Sequence, residues 1–251
     1  MTTPRLSRSP AAGVEHPPTA LLHGLRPIAQ WLLRRRYDVA VHGAAEVPRE
    51  GPVVLACSHT GFLDGPLLAI YAPRPVHAWT KAEMFRGRLG AFLAASGQIE
   101  LDRLHPDPRA VKQALRVLED GDVVGVFPEG TRGAGDFTTM RGGAAYLALA
   151  TGAPVVPVVQ FGVREPGASS RSLPAAGSRV DIVFGTPWRV AAVPFPRGRA
   201  RVYDASLSLQ RHLRAHLDHA RRVTGRELPG PLPAGDTENR PGLEAAEGAT
   251  P

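Results

Sequence analysis

Alternating strand-like and helix-like segments predict an α/β fold, a central largely parallel or mixed sheet flanked by helices in a single domain. Three observations carry that expectation. Apolar runs without polar alternation, at residues 53–57, 122–127 and 155–159, have the length of strands buried on both faces. Helical stripes lie between them, as at Val111, Leu115 and Leu118. The chain has 251 residues, 43% apolar and 21% charged, which suits one large domain and excludes wholesale disorder or a fibrous repeat.

Residues 1–18 are rich in proline and serine and are expected to be disordered. Over residues 19–36, Leu21, Leu25, Ile28 and Leu32 recur at spacings of four, three and four, interrupted by Pro27 and ended by Arg34, Arg35 and Arg36. Two readings stay open for this amphipathic helix. It packs on the domain's edge with cations near its C-terminus, or it rests in a lipid interface. A domain is expected over residues 37–226. Residues 37–43 alternate as a strand, 48–52 turn, and 53–57 form a buried strand. Residues 66–71, 75–80, 86–96 and 99–101 alternate between helix-like and strand-like patterns. A helix over 109–119 is closed by Gly121 and leads into the strand at 122–127. Residues 144–151 read as helix, Gly152-Ala153-Pro154 as a stop and 155–159 as strand. A strand at 179–184 and a helix around 205–222 complete the pattern. From residue 227 a disordered acidic tail is expected: from Pro229 onward it holds four acidic residues against one basic.

The longest charge-free stretch, residues 142–163, reaches the roughly 20 residues a membrane-crossing helix needs. Its internal Gly-Ala-Pro stop and β-branched run divide it into a buried helix, a turn and a buried strand. The N-terminus lacks the apolar core of a secretory signal. These features lead to the expectation of a peripheral protein on the cytoplasmic side of a membrane. Cys57, the single cysteine, excludes a disulfide scaffold. The net charge of +7 is almost all arginine, with Lys81 and Lys112 the only lysines. It favours anionic partners. Dispersed arginine and only 6% aromatic residues argue against nucleic acid.

In open α/β sheets function collects beyond the carboxyl ends of strands. Two such loops carry reactive residues: Ser58-His-Thr-Gly-Phe-Leu-Asp64 and Phe127-Pro-Glu-Gly-Thr-Arg132. A histidine and a carboxylate with four residues between them can fold back onto each other. The carboxylate then fixes the tautomer and leaves the second ring nitrogen as a general base. That is the base-and-orienter part of a triad without a protein nucleophile, a part the substrate's own hydroxyl can supply.

Four blocks together resemble the 1-acylglycerol-3-phosphate acyltransferases, the PlsC-like glycerolipid acyltransferase family. They are the His-x4-Asp block at His59 and Asp64, Gly97-Gln-Ile-Glu-Leu-Asp-Arg103, Phe127-Pro-Glu-Gly-Thr-Arg132, and Ala153-Pro-Val-Val-Pro-Val-Val159. Lys81-Ala-Glu-Met-Phe85 and Arg141-Gly-Gly-Ala144 are also similar to family positions, and the resemblance covers about residues 35–200. Ser58 stands where asparagine is frequent, and Gly133 where serine is common. The resemblance implies transfer of a fatty acyl group from acyl-CoA or acyl carrier protein, as co-substrate, to a lysolipid hydroxyl at a membrane surface. 1-Acyl-glycerol-3-phosphate is the leading acceptor. His59 would be the general base and Asp64 its orienter. Arg103, Arg132 and Lys81 would bind substrate, with Glu129, Gly130 and Thr131 shaping the acceptor loop. Asp102 or Glu129 would be the salt-bridge partners if the two arginines were structural instead. Other lysophospholipids, glycolipids or aminolipids remain alternative acceptors, as does a hydrolase using Ser58 or Cys57. No metal or other cofactor is implied, because the remaining histidines are scattered. His212, His216 and His219 read as a solvated helix face.

Overall fold

The computed structural model describes residues 11–236 and Glu238. Seven strands, β1 (Asp38–His42), β2 (Val53–Cys57), β3 (Val76–Lys81), β4 (Ile99–Leu101), β5 (Val123–Val126), β6 (Val155–Phe161) and β7 (Arg179–Phe184), form one sheet in the order β1-β7-β6-β2-β5-β3-β4. All neighbours pair in parallel except β6 and β7, which pair antiparallel. Five strands therefore run one way and the pair β1–β7 runs back along one edge, the mixed α/β sheet that the alternating pattern predicts.

The apolar runs read as they do because the central strands are covered on both sides. Every residue of β2 is buried. Val54 and Ala56 face one core together with Leu115 and Leu118 of α4 (Pro108–Glu119), Leu147 of α5 (Gly143–Thr151) and Leu209 and Leu213 of α6 (Arg199–Thr224). Val53, Leu55 and Cys57 face the opposite core, against Leu67, Leu68 and Tyr71 of α2 (Asp64–Tyr71). Local signals place the helix ends. Asp107 caps α4 by accepting a hydrogen bond from the Ala110 N–H at 3.0 Å, with Pro108 in the first turn. The charge-free stretch 142–163 divides into α5 and β6. Among the described residues no helix is long and apolar enough to cross a membrane.

The N-terminal helix, α1 (Ala20–Arg36), runs continuously through Pro27. It docks on α2 through a face other than the predicted stripe. Leu22 is its buried residue, Leu33 packs against the core, and Arg26 and Gln30 donate to carbonyls at the end of α2, Gln30 to Ile70 at 2.8 Å. Leu25, Ile28 and Leu32 of the stripe are exposed, with Trp31 beside them.

Three expectations are corrected. Disorder over residues 1–18 does not hold for 11–18, where Ala11 is fully buried and a turn closes from Val14 N–H to the Ala11 carbonyl at 3.0 Å. Residues 1–10 lie outside the described residues. The acidic tail is placed from 227 to 236 and again at Glu238, because it finds polar partners that composition cannot reveal. Arg164 donates to the Gly230 carbonyl at 2.6 Å, and Ser170 donates to Asp236 from N–H and hydroxyl at 2.8 and 2.7 Å. Residues 237 and 239–251 lie outside the described residues. His216 is buried, not solvated. Its Nε2 meets the Val183 carbonyl at 3.1 Å, and burial pushes its pKa down to about 4.

Candidate active site

The chain leaves the carboxyl end of β2, turns through Thr60 and Gly61, and enters α2 at Asp64, so the two ends of the His-x4-Asp block meet. Asp64 is fully buried. Its Oδ2 accepts from His59 Nδ1 at 2.9 Å, from Thr60 N–H at 2.6 Å and from Gly61 N–H at 2.8 Å. A carboxylate with three donors is compensated for its burial. Since a carboxylate only accepts, the His59 proton sits on Nδ1 and Nε2 carries a lone pair. The imidazole stacks on Phe127 with ring centroids 4.2 Å apart and lines the wall of a cavity.

A second buried carboxyl braces this turn from the other loop. Glu129 Oε2 accepts from His59 N–H at 3.0 Å and Oε1 from Phe137 N–H at 2.9 Å. Phe137 is fully buried and has a left-handed backbone, φ 58°, which a bulky residue adopts only when its surroundings hold it there. Gln210 of α6 supplies the other restraint by donating to the Phe137 carbonyl at 2.7 Å. Gly133 N–H to the His59 carbonyl, 2.8 Å, closes the two loops on each other. Gly130, at φ 76°, admits Arg141 so closely that a Cβ would lie 2.5 Å from its Nε.

Three cations converge at the cavity. Lys81 Nζ lies 3.1 Å and Arg132 NH1 3.2 Å from Glu238 Oε1, and Arg103 NH1 lies 3.4 Å from Oε2. Burial raises the Glu238 pKa, the three cations pull it down, and the net shift is below the ordinary glutamate value. Arg103 also stands 3.7 Å from Glu83. Among the described residues the buried Nε groups of Arg103 and Arg132 have no hydrogen-bond partner, two donors the carboxylate does not satisfy.

The structure thus brings His59, Lys81, Arg103, Gly130 and Arg132 together around one cavity of about 490 Å³, with Asp64 buried behind His59. Glu129 is directed to backbone N–H groups, and neither it nor Thr131 lines that cavity. Asp102 pairs with His105 at 2.9 Å, so neither acid proposed as an arginine partner takes that role. Sequence reasoning missed two residues. Glu238 lies in a tail whose composition reads as disorder. Arg164, 2% exposed, donates from Nε to the Thr60 carbonyl at 2.7 Å and from NH2 to the Gly133 carbonyl at 3.1 Å. Cys57 and Ser58, the candidate hydrolase nucleophiles, are both fully buried. Gln160 contacts each, through Nε2 to Cys57 Sγ at 3.1 Å and through its N–H to Ser58 Oγ at 3.2 Å. Burial and the nearby Asp64 push the Cys57 thiol up, away from thiolate chemistry.

Glu129 gives this site a pH signature. Burial raises its pKa from 4.5 to about 7, against the opposing pull of the Phe137 and His59 N–H groups. Its folded value lies above its unfolded value, so its contribution to stability is full below about pH 4.5 and is lost as pH rises through about 7. The full loss is on the order of 3 kcal/mol. Urea unfolding at pH 5 and pH 8 should show wild type losing about 1–3 kcal/mol more across that interval than Glu129→Gln. Equal losses would assign the pH dependence to other groups.

The acyltransferase family model matches residues 38–160. The chain is 33% identical over 133 residues to a 1-acyl-sn-glycerol-3-phosphate acyltransferase of Bacillus subtilis, covering 52% of this chain and 66% of that one. It is 29% identical over 139 residues to a protein of the same name from Borreliella burgdorferi, covering 53% and 54%. The chain therefore spans less than two thirds of the length of either relative. The crystal structure of PlsC, the 1-acyl-sn-glycerophosphate acyltransferase of Thermotoga maritima, shares the fold with a TM-score of 0.58 at 21% identity, covering 79% of this chain and 80% of that one. With the His59–Asp64 turn, the four blocks and the sheet all in place, residues 38–160 match the acyltransferase family model on a fold shared with that structure.

Proposed function

We propose that this chain transfers a fatty acyl group from acyl-CoA or acyl carrier protein to the free hydroxyl of a lysophospholipid. The observation that carries the reading is the His59–Asp64 pair opening onto an apolar cavity beside three converging cations. His59 Nε2 takes the proton of the acceptor hydroxyl as its oxygen attacks the thioester carbonyl. The carbon–sulfur bond then breaks, and the imidazolium returns the proton to the leaving thiolate. Asp64 stabilises the imidazolium in between. A cavity of about 490 Å³ walled by Leu22, Ile70, Leu93 and Leu101 suits an acyl chain.

Glu238 supports a phosphorylated acceptor, with 1-acyl-glycerol-3-phosphate foremost. Lys81, Arg103 and Arg132 already hold an anion, and a phosphate has one more terminal oxygen than a carboxylate for the unpartnered arginine Nε groups. In this reading the headgroup displaces Glu238. The same contact favours the second reading: if Glu238 stays, it neutralises much of the pocket and selects a lysolipid without a phosphomonoester.

The apolar surface extends from the cavity to the outside. Leu25 of α1, and Leu89 and Phe92 of α3 (Gly87–Ala95), line the cavity and are 40–49% exposed, with Ile28, Trp31 and Leu32 further along α1. Arg34, Arg35 and Arg36 end the same helix. This surface fits an anionic membrane, with the cavity opening toward the lipid that supplies the acceptor.

His59→Ala should cut turnover at least on the order of a hundredfold in a folded protein, and Asp64→Asn should lower turnover with little change in acceptor KM. Near-native turnover in folded His59→Ala would remove it from the mechanism. Glu238→Ala should lower the KM for a phosphomonoester acceptor severalfold with turnover unchanged, and Arg132→Ala should raise it. A KM unmoved in Glu238→Ala, with better turnover on uncharged lysolipids, would favour the second reading. On the membrane side, Ile28→Asp with Leu32→Asp should reduce co-sedimentation with anionic vesicles. Unchanged co-sedimentation would leave α1 as an ordinary edge-packed helix.

A further inference from the structure

At the amino ends of the strands, on the opposite edge of the sheet from His59, the fold gathers residues that are far apart in the chain. His16 comes from the packed N-terminal segment, His77 from the start of β3, and Asp122 from the residue before β5. One ligand atom from each lies within 4.8 Å of the other two. We propose that these residues form a divalent transition-metal site, with Zn²⁺ the fitting ion, that fastens the N-terminal segment to the domain.

The hydrogen bonds of the two rings carry the argument. His77 Nδ1 lies 2.7 Å from the Gly97 carbonyl, and His16 Nδ1 lies 2.6 Å from the Pro17 carbonyl. A carbonyl only accepts, so each Nδ1 holds the proton and each Nε2 is left as a lone pair, the tautomer that metal-binding imidazoles take when the other nitrogen donates to a carbonyl. Among the described residues the buried His16 Nε2 makes no hydrogen bond, although Asp122 Oδ2 is 3.2 Å away. Two acceptors that close need a shared proton or a metal cation between them, and the missing hydrogen bond favours the cation. Ligands about 2.0 Å from a tetrahedral zinc ion are separated by about 3.3 Å, so this pair already has the spacing of one tetrahedral edge. Arg74 is the neighbouring cation; it stands 3.8 Å from Oδ1 and is held by the carbonyls of Pro48, Gly51 and Gly121, which leaves Oδ2 for the ion.

The surroundings are built for this approach. Gly97 has φ 70°, and a Cβ there would strike the Pro18 carbonyl and come within 2.9 Å of the His77 ring. The N-terminal segment therefore crosses directly over the loop that orients His77. Two neutral imidazoles and one carboxylate, with a fourth position for water, are a donor set that suits zinc better than magnesium or calcium. Closing the remaining ligand distances draws His16 inward, which fixes the root of α1, whose Leu21, Leu22 and Leu25 line the cavity.

The test is calorimetric titration of the chelator-treated full chain with ZnCl2, with MgCl2 as the comparison ion. One Zn²⁺ per chain should bind with a dissociation constant in the micromolar range or tighter, and Mg²⁺ should not compete. His16→Ala and Asp122→Asn should each weaken zinc at least tenfold, while His219→Ala, on the exposed face of α6, should not. Zinc should also raise the Tm of wild type and not that of His16→Ala, a readout independent of catalysis. His16 lies outside the strands, so its variant retains the folded domain. Equal zinc affinity in wild type and folded His16→Ala, or no binding by wild type, would overturn the site and leave a protonated His16–Asp122 ion pair in its place.

Discussion

A fully buried carboxylate cannot be left uncompensated, and Asp64 is the one around which this site is organised. Its oxygen collects the His59 ring proton and two successive backbone N–H groups, so the turn between β2 and α2 is wound around it. The same contacts that make its burial tolerable orient the imidazole. The rest of the site can be ordered by distance from this point. Glu129 holds the His59 backbone, Gln160 donates to the Asp64 carbonyl at 3.0 Å, and the three cations stand further out.

The second loop is fixed by a different kind of constraint. Phe137 is held in a backbone conformation unfavourable for an aromatic residue because Glu129 takes its N–H and Gln210 its carbonyl. Helix α6 thereby reaches the active-site loops without lending them a reactive group. The shape of the loop around Gly130 depends on contacts spread over 73 positions of chain, the separation between Gln210 and Phe137.

How much of this was legible depends on sequence distance. The central strands show in the sequence because burial on both faces leaves an unbroken apolar run. His59 and Asp64 show because their chemistry closes over a single turn. The face on which α1 packs does not show. Its periodic stripe is real, yet Leu22 and Leu33 take the core while Leu25, Ile28 and Leu32 stay open, since a helix with apolar residues on two sides does not state which side meets its neighbour. Glu238 and the His16–His77–Asp122 cluster are invisible for a related reason. Each is a polar contact between segments distant in the chain, and the flanking prolines and glycines give no periodic signal.

Arg164 has a further consequence. Its guanidinium donates to the carbonyls of Thr60, Gly133 and Gly230, from three segments distant from it in the chain, and to that of Ala168 in its own loop, and none of those partners is an acid. Such a hub is little affected by titration of its partners, because peptide oxygens do not ionise in the working range of pH. It also makes these segments one cooperative unit: peeling any one away strands a buried cation's donor. The floor of the site therefore opens all together or not at all, and the terminal segment that leads to Glu238 is tied to it through Gly230.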